Sequence, residues 1–163
     1  MEGKIRIATD KSEQNVLDHI RDYGWSILHI FDPEYKSPNF SYSIGLYEGF
    51  QSPEVIIFSM SQNDALNIIN LIGEHVKKAV PIEVDKIYKE FTKEPFTCTF
   101  IEVDKTHYKE YFGFDLWFYG SNNFPVLQCV WSDQNGKYPW EEGFNTDIIH
   151  MQPLLWPKQL DNK

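Results

Sequence analysis

An α+β fold is predicted for this chain. It has a mainly antiparallel sheet, with closure into a barrel open to it, one long helix packed on the sheet, and a shorter N-terminal helix. Three observations lead there. Phe40, Tyr42, Ile44 and Leu46 alternate with Ser41, Ser43 and Gly45, the period of a strand with one wet face. Val55, Ile56, Ile57 and Phe58 form an unbroken apolar run, which suits a strand covered on both faces. Beyond Ser61, the residues Ala65, Ile68, Ile69, Ile72 and Val76 recur at helical spacing. About six strands are expected, joined by loops rather than by regular crossover helices, and this favours antiparallel pairing.

The elements follow in order. Residues 1–10 read as a loose lead-in with room for a short strand at 5–8. Residues 12–23 form a helix with Val16, Leu17, Ile20 and Tyr23 on one face, stopped by Gly24. Residues 25–31 are a strand and 32–39 a turn-rich loop. Pro53 precedes the apolar strand, where its missing N–H costs the ladder little. Ser61 caps the main helix and Asp64 complements its dipole. Leu66 and Leu71 widen its apolar stripe, and Pro81 ends it. Residues 81–95 admit either a helix or a strand pair. Residues 96–103 are a strand, 106–112 a short helix, and 115–119 a strand or a packed loop. Residues 125–131 form a strand followed by a turn at Asn135-Gly136. The rest, through Trp156, reads as irregular chain anchored by aromatic side chains. Residues 1–157 are expected to be a single globular domain, with 158–163 a flexible tail.

Composition bounds the partners. The chain has 163 residues, a net charge of −9, 16% aromatic residues and a mean hydropathy of −0.44. Such a surface repels phosphate backbones, so nucleic acid is not expected, whereas a basic protein would be attracted. No apolar run is long enough to span a bilayer, and Met1 to Ile7 lacks the apolar core of a signal peptide, which predicts a cytoplasmic location and no membrane partner. Cys98 and Cys129 lie in apolar strand contexts and are expected to be free, buried thiols.

Three stretches carry a family resemblance. They are Tyr23-Gly-Trp-Ser-Ile-Leu-His29, Phe40-Ser-Tyr-Ser-Ile-Gly-Leu46 with Ser52-Pro-Glu54, and Pro125-Val-Leu-Gln-Cys-Val-Trp-Ser-Asp133 leading to Tyr138-Pro-Trp140. In combination and order, over residues 15–145, they resemble the bacterial family called domain of unknown function 4262. The resemblance implies a small standalone bacterial domain and carries over no catalytic residues. Ser52 stands where many relatives have His, which weakens any mechanism needing an imidazole there.

No motif names a reaction. The five histidines show no i,i+4 pair on one helix and none neighbours a cysteine, so no metal is expected. There is no dinucleotide fingerprint, Walker loop or nucleophile elbow, and no cofactor is expected. Glu54, at the mouth of the buried strand, suits a general base with Tyr42 or His29 as its acid, and equally suits capping a backbone amide. Tyr119, Trp131, Tyr138 and Trp140, with Phe144, fit a ligand pocket or interface hot spot, or a hydrophobic cluster pinning the tail. Glu141 and Glu142 read as an acidic rim. The leading expectation is a non-catalytic protein-binding module for a basic partner, of which a toxin-immunity protein is one form. The alternative is a small enzyme or ligand sensor with its pocket near Tyr42, Glu54 and the C-terminal aromatic residues.

Overall fold

The computed structural model describes residues 5–157. Its centre is an open five-stranded sheet formed by β1 (Ser26–Ile30), β2 (Phe40–Ile44), β3 (Glu54–Phe58), β4 (Cys98–Glu102) and β5 (Val126–Trp131), in the order β1-β2-β3-β5-β4. The β1–β2, β2–β3 and β4–β5 pairings are antiparallel, and the central β3–β5 pairing is parallel. The sheet does not close into a barrel. β1 and β4 lie at opposite edges, and the outer edge of β4 is covered by its own preceding segment. There Tyr88 and Cys98 exchange both backbone hydrogen bonds, and Asp85 N–H donates to the Phe100 carbonyl. That segment is neither the helix nor the strand pair anticipated, but irregular chain with a single bridge.

The chain pattern sets the two faces. Alternation along β3 sends Val55 and Ile57 to one side, where they join Leu127, Cys129 and Phe100. Over them lies α3 (Gln62–Lys77), through Ala65, Ile68, Ile69, Ile72 and Val76. Ser61 Oγ accepts from Asp64 N–H, as its position suggests. On the opposite side Tyr42, Ile44, Ile56, Phe58 and Val126 meet α1 (Lys11–Tyr23), α4 (Tyr108–Tyr111) and α5 (Gly113–Tyr119). A five-residue helix, α2 (Leu46–Phe50), follows β2. The helix count corrects the expectation of one dominant helix, since α1 has 13 residues and α3 has 16. α1 starts one residue before the expected point, capped by Asp10, which accepts from Glu13 N–H. Gly24, at φ 100°, ends it as expected.

α5 is the clearest departure from the sequence reading, which placed a strand or packed loop at 115–119. Seven residues are too few for helical periodicity to show, and the aromatic run imitates strand composition. The segment nevertheless closes as a helix, ended by Gly120 in the left-handed region with its N–H on the Leu116 carbonyl. Residues 5–8 form no strand. Arg6 instead sets its guanidinium 3.5 Å from the centroid of Phe118 and pairs with Glu48 at 2.8 Å. The expected tail at 158–163 lies outside the described residues. Among the described residues, no helix is long and apolar enough to cross a membrane.

Gly73 fixes how closely α3 approaches the chain before β1. A Cβ there would stand 2.5 Å from Trp25 Cζ2, and the indole cannot easily retreat because its N–H donates to Asn70 at 3.0 Å. Gly73→Ala is therefore expected to destabilise the fold by about 1–3 kcal/mol, despite alanine's better helix propensity. Urea unfolding checks this, and a stability equal to or above that of the parent would contradict it.

Candidate functional site

The most connected polar group in the sheet is Glu54, the first residue of β3 and fully buried. Its Oε1 accepts from Gly45 N–H (2.9 Å), Tyr47 N–H (3.1 Å) and Tyr119 O–H (2.6 Å), and its Oε2 accepts from Ser43 O–H at 2.6 Å. The local sequence explains the convergence. Gly45, at φ 107°, turns the chain sharply from β2 into α2, so that two amides of the turn face one carboxylate. Ser43 also accepts from Val55 N–H at 2.9 Å, so the hydroxyl bridges the strand end and the carboxylate.

Asp115 of α5 is the second buried carboxylate, and neither of its oxygens has a hydrogen-bond partner among the described residues. Burial, reinforced by the charge of Glu54, pushes its carboxyl well above the ordinary range. Burial also raises Glu54, opposed by its four donors. The two acids cannot both ionise cheaply in this setting. The negative charge belongs on Glu54, which the donors solvate, and the proton on Asp115, which has none. Burial raises the phenols around them too. Tyr108 is pushed up to about 12 by burial and then by the Asp115 charge, and Tyr42 and Tyr119 go higher. These tyrosines stay protonated, and their neutral hydroxyls both donate, as Tyr119 and Tyr108 do, and accept, as Tyr42 does.

The expected acid–base group is only partly assembled. Tyr42 shares the neighbourhood, with its hydroxyl accepting from Phe114 N–H at 3.2 Å and its phenol raised first by burial and then by Asp115. His29, on β1, is engaged with β2, its Nδ1 2.6 Å from Ser41 Oγ. No hydrogen bond joins Glu54 to Tyr42 or His29 among the described residues, and Glu54 has no contact with solvent.

The aromatic candidates divide among three places. Tyr119 is the phenol on Glu54. Trp131 is buried under α3, its indole N–H donating to the Phe58 carbonyl at 2.9 Å. Tyr138 is buried beside Ile101 and Val130, and its hydroxyl lies 2.8 Å from Thr97 Oγ1. Trp140 stacks on Tyr138 at 5.4 Å and 11°, and Trp156 leans on Trp140 at 5.4 Å and 40°. Trp140 is 40% exposed and Trp156 41%. Glu141 caps Tyr138 N–H at 3.1 Å, and Glu142 is exposed. Phe144 is buried nearby in sequence. The tail is pinned by two buried amides. Gln152 accepts from Trp131 N–H and donates to its carbonyl, while Gln128 donates to the Pro153 carbonyl and accepts from Leu155 N–H.

Among the described residues, cavities open on the surface in at least two places. One, of about 640 Å³, lies between α1 and α3 and is lined by His19, Asp22, Trp25, Ser26, Asn70 and Glu74, among others. Another, of about 520 Å³, lies where β3 and β5 end. Neither is lined by Glu54, Tyr42 or His29. Among the described residues, no group of three or more His, Cys, Asp or Glu side chains is placed to hold a metal ion. Cys98 and Cys129 are free and buried.

Sequence reasoning missed Asp115, whose one signal was an acid inside the apolar run Phe114-Asp-Leu-Trp-Phe118. It also missed Ser43, read only as the polar half of an alternation, and the cavity at the end of β3, which depends on the parallel pairing. No curated protein and no solved structure matches the chain. The family model described as "Domain of unknown function (DUF4262)" matches residues 19–145, and the chain belongs to that family.

Proposed function

We propose that this domain is a non-catalytic binding module that engages a basic partner protein through Trp140, Trp156 and the carboxylates of Glu141 and Glu142. The observation that carries the reading is the run of rings Tyr138, Trp140 and Trp156. Its inner member is buried and its outer two are two-fifths exposed, beside acidic side chains, on a chain of net charge −9. Rigid tryptophans lose little entropy on contact. A lysine or arginine laid over such a ring gains about 0.5–2 kcal/mol, depending on how dry the contact becomes. The surrounding negative charge steers a basic protein and makes binding sensitive to salt. Neutralisation of a basic toxin is one form this binding takes. The sealed environment of Glu54 supports a binding role over acid–base catalysis there, because a fully buried carboxylate with four donors has no face left for a substrate.

The test is capture of basic proteins encoded beside this gene, across salt concentrations. Trp140→Ala is expected to weaken capture about tenfold or more, with little change in thermal stability. Glu142→Lys is expected to slow association and flatten the salt dependence. Absence of any partner at low salt, or a partner indifferent to Trp140→Ala, would refute the reading.

A further inference from the structure

We infer that the cavity at the carboxyl ends of β3 and β5 is a binding site for a small cationic amphiphile, an aromatic or aliphatic body carrying one protonated amine. Its place in the fold is the first argument. β3 and β5 are the parallel pair, and the chain leaves β3 for α3 and β4 before returning to fill the position beside β3. Ligands of open sheets with parallel strands collect outside the carboxyl ends, where successive connections diverge and leave a crevice. Here Ser59 and Met60, just past β3, and Trp131, the last residue of β5, line the cavity.

The second argument is the wall. Ile68 and Leu71 of α3 face Phe91 and Phe96 of the loop before β4 across a space of about 520 Å³, within the range of small-molecule sites. Leu71 is 48% exposed and Phe96 40%, although the cavity's floor is core. The rim beside β3 is tied down. Ser59 sits at φ 58°, its N–H on the Asn39 carbonyl at 2.8 Å and its hydroxyl on the Met151 carbonyl at 2.6 Å, while the Asn39 amide donates to the Met60 carbonyl at 2.6 Å. A non-glycine residue held in the left-handed region by bonds to two other segments is a preorganised wall.

Charge selects the ligand. Asp64, Glu90 and Glu94 line the mouth against Lys93, the one cation among the described lining residues, which stands 3.9 Å from Asp64. Asp64 already occupies the positive end of α3, so the helix terminus does not call for a further anion. An ammonium at this mouth meets net negative charge while its apolar body covers Leu71, Phe96 and the Trp131 ring.

Naphthylethylamine is a suitable probe, with naphthylacetate as its anionic counterpart, both titrated by calorimetry and followed by backbone amide shifts. The amine is expected to bind saturably, at least tenfold more tightly than the acetate, with shifts concentrated at residues 59–71 and 90–96. Leu71→Arg, at a partly exposed position, is expected to abolish binding while leaving thermal stability unchanged, and the pair Glu90→Gln with Glu94→Gln to narrow the preference for the amine. Trp140→Ala is expected to leave amine binding intact, which separates this site from the partner surface. No saturable binding, equal binding of amine and acetate, or unchanged binding in a folded Leu71→Arg protein would overturn the assignment.

Discussion

Glu54→Ala is expected to lower the stability of the fold by about 3–5 kcal/mol, the largest effect of any single truncation considered. The loss comes from the donors left behind. Gly45 N–H, Tyr47 N–H and Ser43 O–H all point at the carboxylate, and removing the acceptor leaves these donors unsatisfied, while Tyr119 O–H loses its 2.6 Å bond to Oε1. Two of these belong to the turn between β2 and α2, so the damage should spread to that corner and be visible as faster amide exchange at residues 45–48. Glu54→Gln separates hydrogen bonding from charge. Its oxygen can still serve the three donors on Oε1, and Ser43 can rotate to accept from the new amide. The glutamine variant is therefore expected to lose less than half as much as the alanine variant. Equal losses in chemical unfolding would mean that the negative charge, not the acceptor geometry, holds this corner together.

Asp115→Asn is expected to do the opposite and stabilise the protein near neutral pH, by about 1–3 kcal/mol. The parent must either bury an ionised carboxylate without a donor or carry a proton that the unfolded chain would release. The sign follows directly. Burial, and next the Glu54 charge, raise Asp115 in the folded state, so between its ordinary value and that raised one the native protein binds more protons than the unfolded one. Stability from this group is greatest below the ordinary carboxylate range and falls as pH rises towards the raised value. Glu54, also raised by burial, acts in the same sense. Asp32 runs the other way, held low first by the Glu34 amide and also by Ser37 and Lys36, so the whole-protein profile mixes both signs. The informative quantity is the difference between parent and Asp115→Asn. It should be near zero around pH 3 and grow through neutrality, by roughly 1.4 kcal/mol per pH unit at most. A difference that stays flat from acid to neutral pH would show that Asp115 is not carrying the extra proton. The double variant Glu54→Gln with Asp115→Asn should depart from additivity, because each residue sets the other's protonation.

Much of the scaffold was legible because its signals are local. The unbroken run Val55 to Phe58 is the fully buried central strand, and the stripe Ala65, Ile68, Ile69, Ile72, Val76 is the face α3 puts on the sheet. Gly24 and Ser61 act as the caps their positions suggested. What stayed hidden is non-local. Parallel pairing of β3 with β5 is set by how the chain returns across the sheet, and no residue in either strand announces it. The open sheet has the same origin, since barrel closure depends on whether the two end strands meet. The Glu54 network hid for another reason. A carboxylate before a buried strand looks alike whether it faces water, a substrate or a ring of donors, and its donors come from Ser43, the Gly45 turn and Tyr119, scattered over more than 70 residues of sequence. Tyr119 itself was grouped with Trp131 and Tyr138 by composition, but α5 carries it to the opposite end of the structure's hydrogen-bonding logic, as a donor to an acid.

The two glutamine clamps bear on where this module can be cut. The family match ends at residue 145, yet Gln128 and Gln152 tie the β5 backbone and side chains to residues 152–155, and Leu155 is buried in the same cluster as Val16. An excised fragment bounded by the match would strip the carbonyl and amide of Trp131 of their glutamine partner and leave the Gln128 amide facing nothing. The matched stretch is thus shorter than the packed body of this chain, whose α1 begins at Lys11 and whose clamps reach Leu155, and expression boundaries for this protein belong outside both ends of the match.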